Sequence, residues 1–156
     1  TPFPFKVIKN RLFCDADIIL EKDALEKMAH VLDTNTDVSF AYSSFYYGPK
    51  LFKLFPYDEA RLKSMPYIHT SSLIRASDFP GFDPMIQRLQ DWDLWLTISE
   101  QGKRGQWIDK ALFRVKTSGH ISTWVPKITY KILPFLPTVK NYKEAVQIIK
   151  QKHGLT

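Results

Sequence analysis

The sequence predicts an α/β fold, a mixed sheet with flanking helices, and three observations carry that prediction. Asp37 to Tyr47 alternates as a strand does, with Val38, Phe40 and Tyr42 on one side and Ser39, Ala41 and Ser43 on the other. Glu21 to Asp33 and Asp91 to Gln101 place apolar residues at helical spacing, with acids near their starts. Strand-like and helix-like segments then alternate along the chain, the pattern of an α/β architecture. With 156 residues the chain has one domain's length, enough to bury a core.

Taken in order, Arg11 to Cys14 is a short apolar run ending at Asp15. It reads as a strand that delivers Asp15 and Asp17 to its carboxyl end. Within Glu21 to Asp33, Leu25, Met28 and Leu32 form the apolar stripe. Gly48-Pro49 stops the strand that begins at Asp37. Leu51 to Phe55 fits a second strand or an aromatic loop, Asp58 to Ser64 a short helix, and Ser71 to Arg75 a short strand. Pro80-Gly81-Phe82-Asp83-Pro84 is a loop, because two prolines and a glycine forbid regular continuation. Gly102 closes the helix of Asp91 to Gln101, and Gln106 to Ile108 and Ala111 to Val115 read as two short strands.

After Ser118 the composition shifts, so residues 121–156 are expected to form a helical extension packed on residues 1–120. Ile121 to Leu136 mixes apolar residues with Lys127 and Lys131, and Pro126 suits a first helical turn. Val139 to His153 carries Tyr142, Ala145, Val146 and Ile149 on one face and ends at Gly154.

Charge and composition narrow the function classes. The net charge of +6 suits polyanionic partners: nucleotide phosphates, nucleic acid or an anionic membrane face. The single cysteine, Cys14, excludes an intramolecular disulfide and gives no sign of an oxidising compartment. No apolar run approaches the roughly 18 residues of a spanning helix. The start, TPFPFKVIKNR, lacks the regions of a signal peptide and begins without Met, which suggests a piece of something longer.

Two constellations bear chemistry. In Phe13-Cys14-Asp15-Ala16-Asp17-Ile18, alternation on an extended chain sends both acids to one face. Carboxylates that close repel each other unless a cation joins them, and Mg²⁺ or Mn²⁺ held by one or two carboxylates plus substrate phosphates satisfies that need. A solvated turn explains the same pair. In Gln90-Asp91-Trp92-Asp93-Leu94-Trp95-Leu96, acids in a first turn complement the helix dipole and the tryptophans fit a core. The same pattern also places a carboxylate beside a flat aromatic wall suited to a sugar or a base.

Taken together, Asp15-x-Asp17, Thr70-Ser71-Ser72-Leu73-Ile74-Arg75, Gly81-Phe82-Asp83 and Gln90-Asp91-Trp92-Asp93-Leu94-Trp95-Leu96 follow one another at close spacing. This order resembles the acceptor half of the inverting GT-A glycosyltransferases of the family 2 type, over residues 11 to about 125. The resemblance implies a partial GT-A, Rossmann-like fold and transfer of a sugar from a nucleotide-diphosphate donor to a carbohydrate or lipid-linked acceptor. It matches Asp17 and Asp15 to the acids that bind Mg²⁺ or Mn²⁺, and Asp91 to the general base that deprotonates the acceptor hydroxyl. Ser71, Ser72 and Trp92 are expected near donor or acceptor. It also implies a cytoplasmic location, with peripheral association at a membrane face.

The chain departs from the family pattern at several points. Gln90 stands where the family usually has Glu before the base, and Ile18 where a further Asp is common. The family's His beyond the Phe113-Arg114 strand is replaced by Lys116, with His120 the nearest histidine. Either Lys116 meets the diphosphate or His120 stands in as a metal ligand. The absence of Q-x-x-R-W argues for transfer of one sugar at a time. Only fourteen residues precede the D-x-D, too few for a βαβ unit of roughly 30. The expectation is therefore an acceptor-side part of a larger enzyme, inactive alone.

The competing reading is a non-catalytic binding module. Phe45-Tyr46-Tyr47 and Lys50-Leu51-Phe52-Lys53 could stack single-stranded nucleic acid, although nucleic acid is not the expected partner. Trp124 to Leu136 could lie on a membrane surface with Lys127 and Lys131 at lipid phosphates.

Overall fold

The computed structural model describes residues 8–116 and 137–155, and the side chains of the terminal helix from Lys140 onward. The expectations for Ile121 to Leu136, including the membrane-surface segment, and for His120 lie outside the described residues. Within them, six strands form one mixed sheet: β1 (Asn10–Leu12), β2 (Ile18–Leu20), β3 (Val38–Tyr47), β4 (Lys50–Phe52), β5 (Leu73–Arg75) and β6 (Arg104–Val115). The order is β1-β5-β3-β6-β2, with β4 also paired to β3. The long pair β3 and β6 runs parallel, and the other pairings are antiparallel. Among the described residues four α-helices accompany the sheet: α1 (Ala24–Thr34), α2 (Glu59–Ser64), α3 (Gln90–Glu100) and α4 (Pro137–Lys152). The chain is thus α/β with a mixed sheet and flanking helices. No described helix is long and apolar enough to cross a membrane.

β3 is the spine of the sheet. Residues 38–44 are buried throughout, so the strand is covered on both faces rather than on one as its alternation suggests. Phe40 and Tyr42 enter one core with Trp92, Trp95, Leu96 and Ile149. Val38 and Ala41 enter a second core with Ala24, Met28, Leu32 and Leu112. Val38 and Phe40 part company because the register with β6 shifts between them, a bulge that turns Val38 toward α1. In α1 the buried stripe is Ala24, Met28 and Leu32, so Met28 and Leu32 face the core as expected, while Ala24 takes the place of Leu25, which is 50% exposed. Arg75 locks α1 in place: its guanidinium donates to the carbonyls of Val38 (2.7 Å), Leu32 and Asn35 (3.0 Å) at the helix's C-terminal end.

Two strand expectations change. Gln106 to Ile108 and Ala111 to Val115 are one twelve-residue strand, β6, irregular opposite Ser43 and Ser44. At its start Gly105 lies directly under the Phe40 ring, where a β-carbon would stand 2.2 Å from Phe40 Cε2. β2 is a strand the sequence did not announce. It exists through its pairing with Phe113, Arg114 and Val115.

Candidate active site

β1 and β2 lie at opposite edges of the sheet, yet residues 13–17 alone join them. That connection has to pass β5, β3 and β6, and it carries Asp15 and Asp17 with it. Ile18 N–H donates to Asp15 O at 3.1 Å, closing a turn. The two acids therefore sit on a turn, not on a strand, and strand alternation does not aim them. The end of the parallel pair fixes their place instead. Lys116 N–H donates to Asp17 O at 2.8 Å, and Gly48 N–H to Val115 O at 3.1 Å. Asp17 thus stands where β3 and β6 end, at the carboxyl edge where ligands of α/β sheets bind. Both acids are exposed, as is Lys116.

Asp91 arrives from another direction. α3 begins beside Leu89, the one non-glycine residue with positive φ among the described residues (φ 58°, ψ 35°). For a leucine that conformation costs on the order of 1–2 kcal/mol. It lets the loop turn sharply into a helix whose first turn carries Asp91. The half-buried Asp91 carboxylate accepts from Trp92 N–H at 2.9 Å. Burial raises its pKa above the ordinary value, against the opposing pull of that bond and of His69, and Asp15 adds to the rise.

His69 is the residue that sequence reasoning missed. Its ring leans on Phe45 (5.3 Å between centroids) and Phe113 (5.1 Å), and its Nδ1 accepts from Ser71 N–H at 3.0 Å. Burial lowers its pKa, while Asp91, Asp15 and Asp17 all pull the other way. The charges of both sequence constellations thus act on the His69 ring. The available signal was position: His69 immediately precedes the Thr70-Ser71-Ser72 run.

The expected binding residues divide differently. Ser71 and Ser72 are closed to solvent, and Ser72 Oγ donates to His69 O at 2.6 Å, so this pair shapes the His69 loop and offers no surface to a ligand. Trp92 is core as well, its indole N–H donating to Leu62 O at 2.7 Å. Trp95 N–H donates to Ile68 O at 3.0 Å. These two indoles tie α3 to the segment that ends at His69. The tryptophans thereby set the spacing between Asp91 and His69 instead of walling a sugar.

Asp93 serves a different purpose from Asp91. Two residues apart on a helix point to nearly opposite sides. Asp93 turns inward, where its carboxylate meets Lys152 Nζ (2.7 Å) and His153 Nε2 (2.8 Å) at the end of α4. Lys152 also meets Asp83 (2.8 Å), and His153 Nδ1 meets Glu100 (2.7 Å). The G-F-D and D-W-D motifs thus each supply an acid that latches the terminal helix.

Among the described residues, no three His, Cys, Asp or Glu side chains form a ready-made metal site. Asp15 and Asp17 are hard oxygen donors, exposed and near a third carboxylate. Such donors are the ligand type that Mg²⁺ and Mn²⁺ prefer. A surface groove of about 370 Å³ lies elsewhere, between Met85–Arg88 and α4. The aromatic patch is occupied internally: Phe45 stacks on Phe52 and Phe113, Arg114 covers Tyr46, and Lys50 covers Phe52.

Fold and site together define an α/β domain with Asp17 and His69 at the carboxyl end of its parallel strand pair and Asp91 at the start of α3. Neither the family models nor the curated proteins compared with the chain gave a match.

Proposed function

We propose that the chain is the acceptor-side part of an inverting glycosyltransferase of the GT-A, family 2 type. It would act with Mg²⁺ or Mn²⁺ on a nucleotide-diphospho-sugar and a carbohydrate or lipid-linked acceptor. The observation that carries the reading is the placing of both motifs near the end of the parallel pair: Asp17 is bonded to Lys116 where β6 ends, His69 packs on Phe45 of β3 and Phe113 of β6, and Trp95 ties the Asp91 helix to the residue before His69. Three carboxylates on an otherwise basic chain suit a site that holds a cation and takes a proton. Asp91 is the base: its position is partly desolvated, which raises its affinity for a proton. Asp15 and Asp17 would hold the divalent ion, which when bound neutralises the charge growing on the departing diphosphate. Lys116, exposed and bonded through its backbone N–H to Asp17 O, is the cation next in the chain to meet the diphosphate. The acceptor oxygen attacks the anomeric carbon opposite the leaving group, so configuration inverts.

The test is Asp91→Asn in the full-length gene product, assayed against a panel of UDP-, GDP- and dTDP-sugars. Transfer should fall about 10²–10⁴-fold, the usual contribution of a general base, with donor affinity unchanged. Unaltered turnover removes Asp91 from that role.

A further inference from the structure

We propose that His153 is a proton-operated clasp: it fastens the end of α4 to α3 while its ring carries a proton on both nitrogens, and α4 loosens as rising pH strips one away. Nothing in this device depends on the proposed sugar transfer.

The end of α4 aims the ring. Gly154, at φ 60°, closes the helix. Leu155 N–H donates to Lys150 O (2.8 Å) and Gly154 N–H to Gln151 O (3.3 Å), the paired bonds of a Schellman ending. Leu155 packs on the tryptophan core beyond it. His153 is still bonded as part of the helix, N–H to Ile149 O at 3.0 Å, and its side chain lies 2% exposed against α3.

Both ring nitrogens end on carboxylates. Nε2 lies 2.8 Å from Asp93 Oδ1, and Nδ1 lies 2.7 Å from Glu100 Oε1. A neutral imidazole has one N–H. It could donate to only one of these acids and would press a bare lone pair against the other. The imidazolium donates to both. Among the described residues, the charged groups bonded into this set are Asp93 and Glu100 from α3, Lys152 beside the ring on α4, and Asp83 of the Gly81-Phe82-Asp83 loop. Lys152 meets Asp93 at 2.7 Å and Asp83 at 2.8 Å. Three carboxylates thus share one ammonium, and a doubly protonated His153 supplies the second cation.

The sign of the pH dependence follows from these bonds. Two charge-assisted bonds join the helices while the ring holds both protons, and one is lost as pH rises and the ring gives a proton up. In strong acid, protonation of Asp93 and Glu100 undoes the clasp from the other side. α4 covers the core through Val146 and Ile149, so its loosening is a local opening of one helix, not an unfolding of the sheet.

Imidazole ¹⁵N shifts of His153 and amide exchange of α4, measured on the full chain from pH 5 upward until the ring has titrated, test the clasp. With exchange corrected for its intrinsic pH dependence, α4 protection should fall about 10–100-fold in step with deprotonation of His153, while β3 and β6 hold. The step is separate from that of Lys152, whose bonds to Asp83 and Asp93 keep its proton into the strongly alkaline range. Glu100→Gln alters a half-exposed partner to one that donates as well as accepts. A neutral ring can then give Nε2–H to Asp93 and accept at Nδ1 from the new amide, so α4 should stay protected across the same range. A ring with a bare nitrogen while α4 is fully protected overturns the proposal. So does a fall in α4 protection of less than about tenfold as the ring titrates, or a Glu100→Gln chain that keeps the whole step.

Discussion

Asp91 and Asp93 share one helical turn, and the structure gives them opposite work, so replacing each by asparagine should have opposite consequences. The Asp93 side chain is 5% exposed and holds two groups at the end of α4: His153, 2% exposed, and Lys152, 34% exposed. Removing one member of a buried ion pair costs about 3–5 kcal/mol. The share carried by Lys152 is screened by solvent, so roughly 2–4 kcal/mol is expected for Asp93→Asn. For a chain of this size that corresponds to a fall in Tm of roughly 5–15 °C. The α4 amides should also lose protection in hydrogen exchange before those of β3 and β6, because the latch is what fastens that helix. Asp91→Asn removes a carboxylate whose charge is disfavoured by burial, and so should leave Tm unchanged or raise it. Differential scanning calorimetry with residue-resolved exchange measures both. A Tm for Asp93→Asn within about 2 °C of wild type, with α4 still protected, would refute the latch.

Other consequences follow from the same contacts. Because burial raises the folded pKa of Asp91, its ionised form costs stability at neutral pH, and the cost vanishes below the unfolded value near pH 4. The Tm advantage of Asp91→Asn should therefore shrink to nothing as pH falls toward 3, as melting curves across pH would show. Burial works against the charge of Lys152, but its bonds to Asp83 and Asp93 prevail and raise its pKa. The stability this adds is present below the ordinary lysine range and lost as pH rises through the folded value, so circular dichroism should show α4 loosening at strongly alkaline pH. Gly105→Ala places a methyl 2.2 Å from the Phe40 ring, which is itself wedged against Trp95, and should cost about 1–3 kcal/mol by chemical denaturation.

Much of the scaffold was legible because it is local. The helices at Asp58 to Ser64 and Asp91 to Gln101, the terminal helix and the strand ending at Gly48-Pro49 all announce themselves through periodicity and caps. What was not legible depends on partners far along the chain. β2 is three residues long and exists because β6 pairs with it. The bulge that turns Val38 toward α1 is a matter of register, which periodicity does not encode. Of the candidate site, the three acids could be named from the sequence, but not what arranges them. Asp15 and Asp17 follow a turn and a backbone bond to Lys116. Asp91 follows a strained leucine and two buried indoles. The role of Asp93 needed the position of His153, and the placement of His69 needed the rings of Phe45 and Phe113.

The proposed glycosyl transfer requires Asp15, Asp17, His69 and Asp91 to stand around one binding site. Titration with Mn²⁺, followed by NMR line broadening, tests it most directly, since the ion's paramagnetism marks whatever lies close to it. The account predicts early, selective broadening at residues 15–17, at the His69 imidazole and at the start of α3, abolished in Asp15→Asn/Asp17→Asn. Broadening around Asp15 and Asp17 that leaves His69 and Asp91 sharp, or that survives the double substitution, would contradict it.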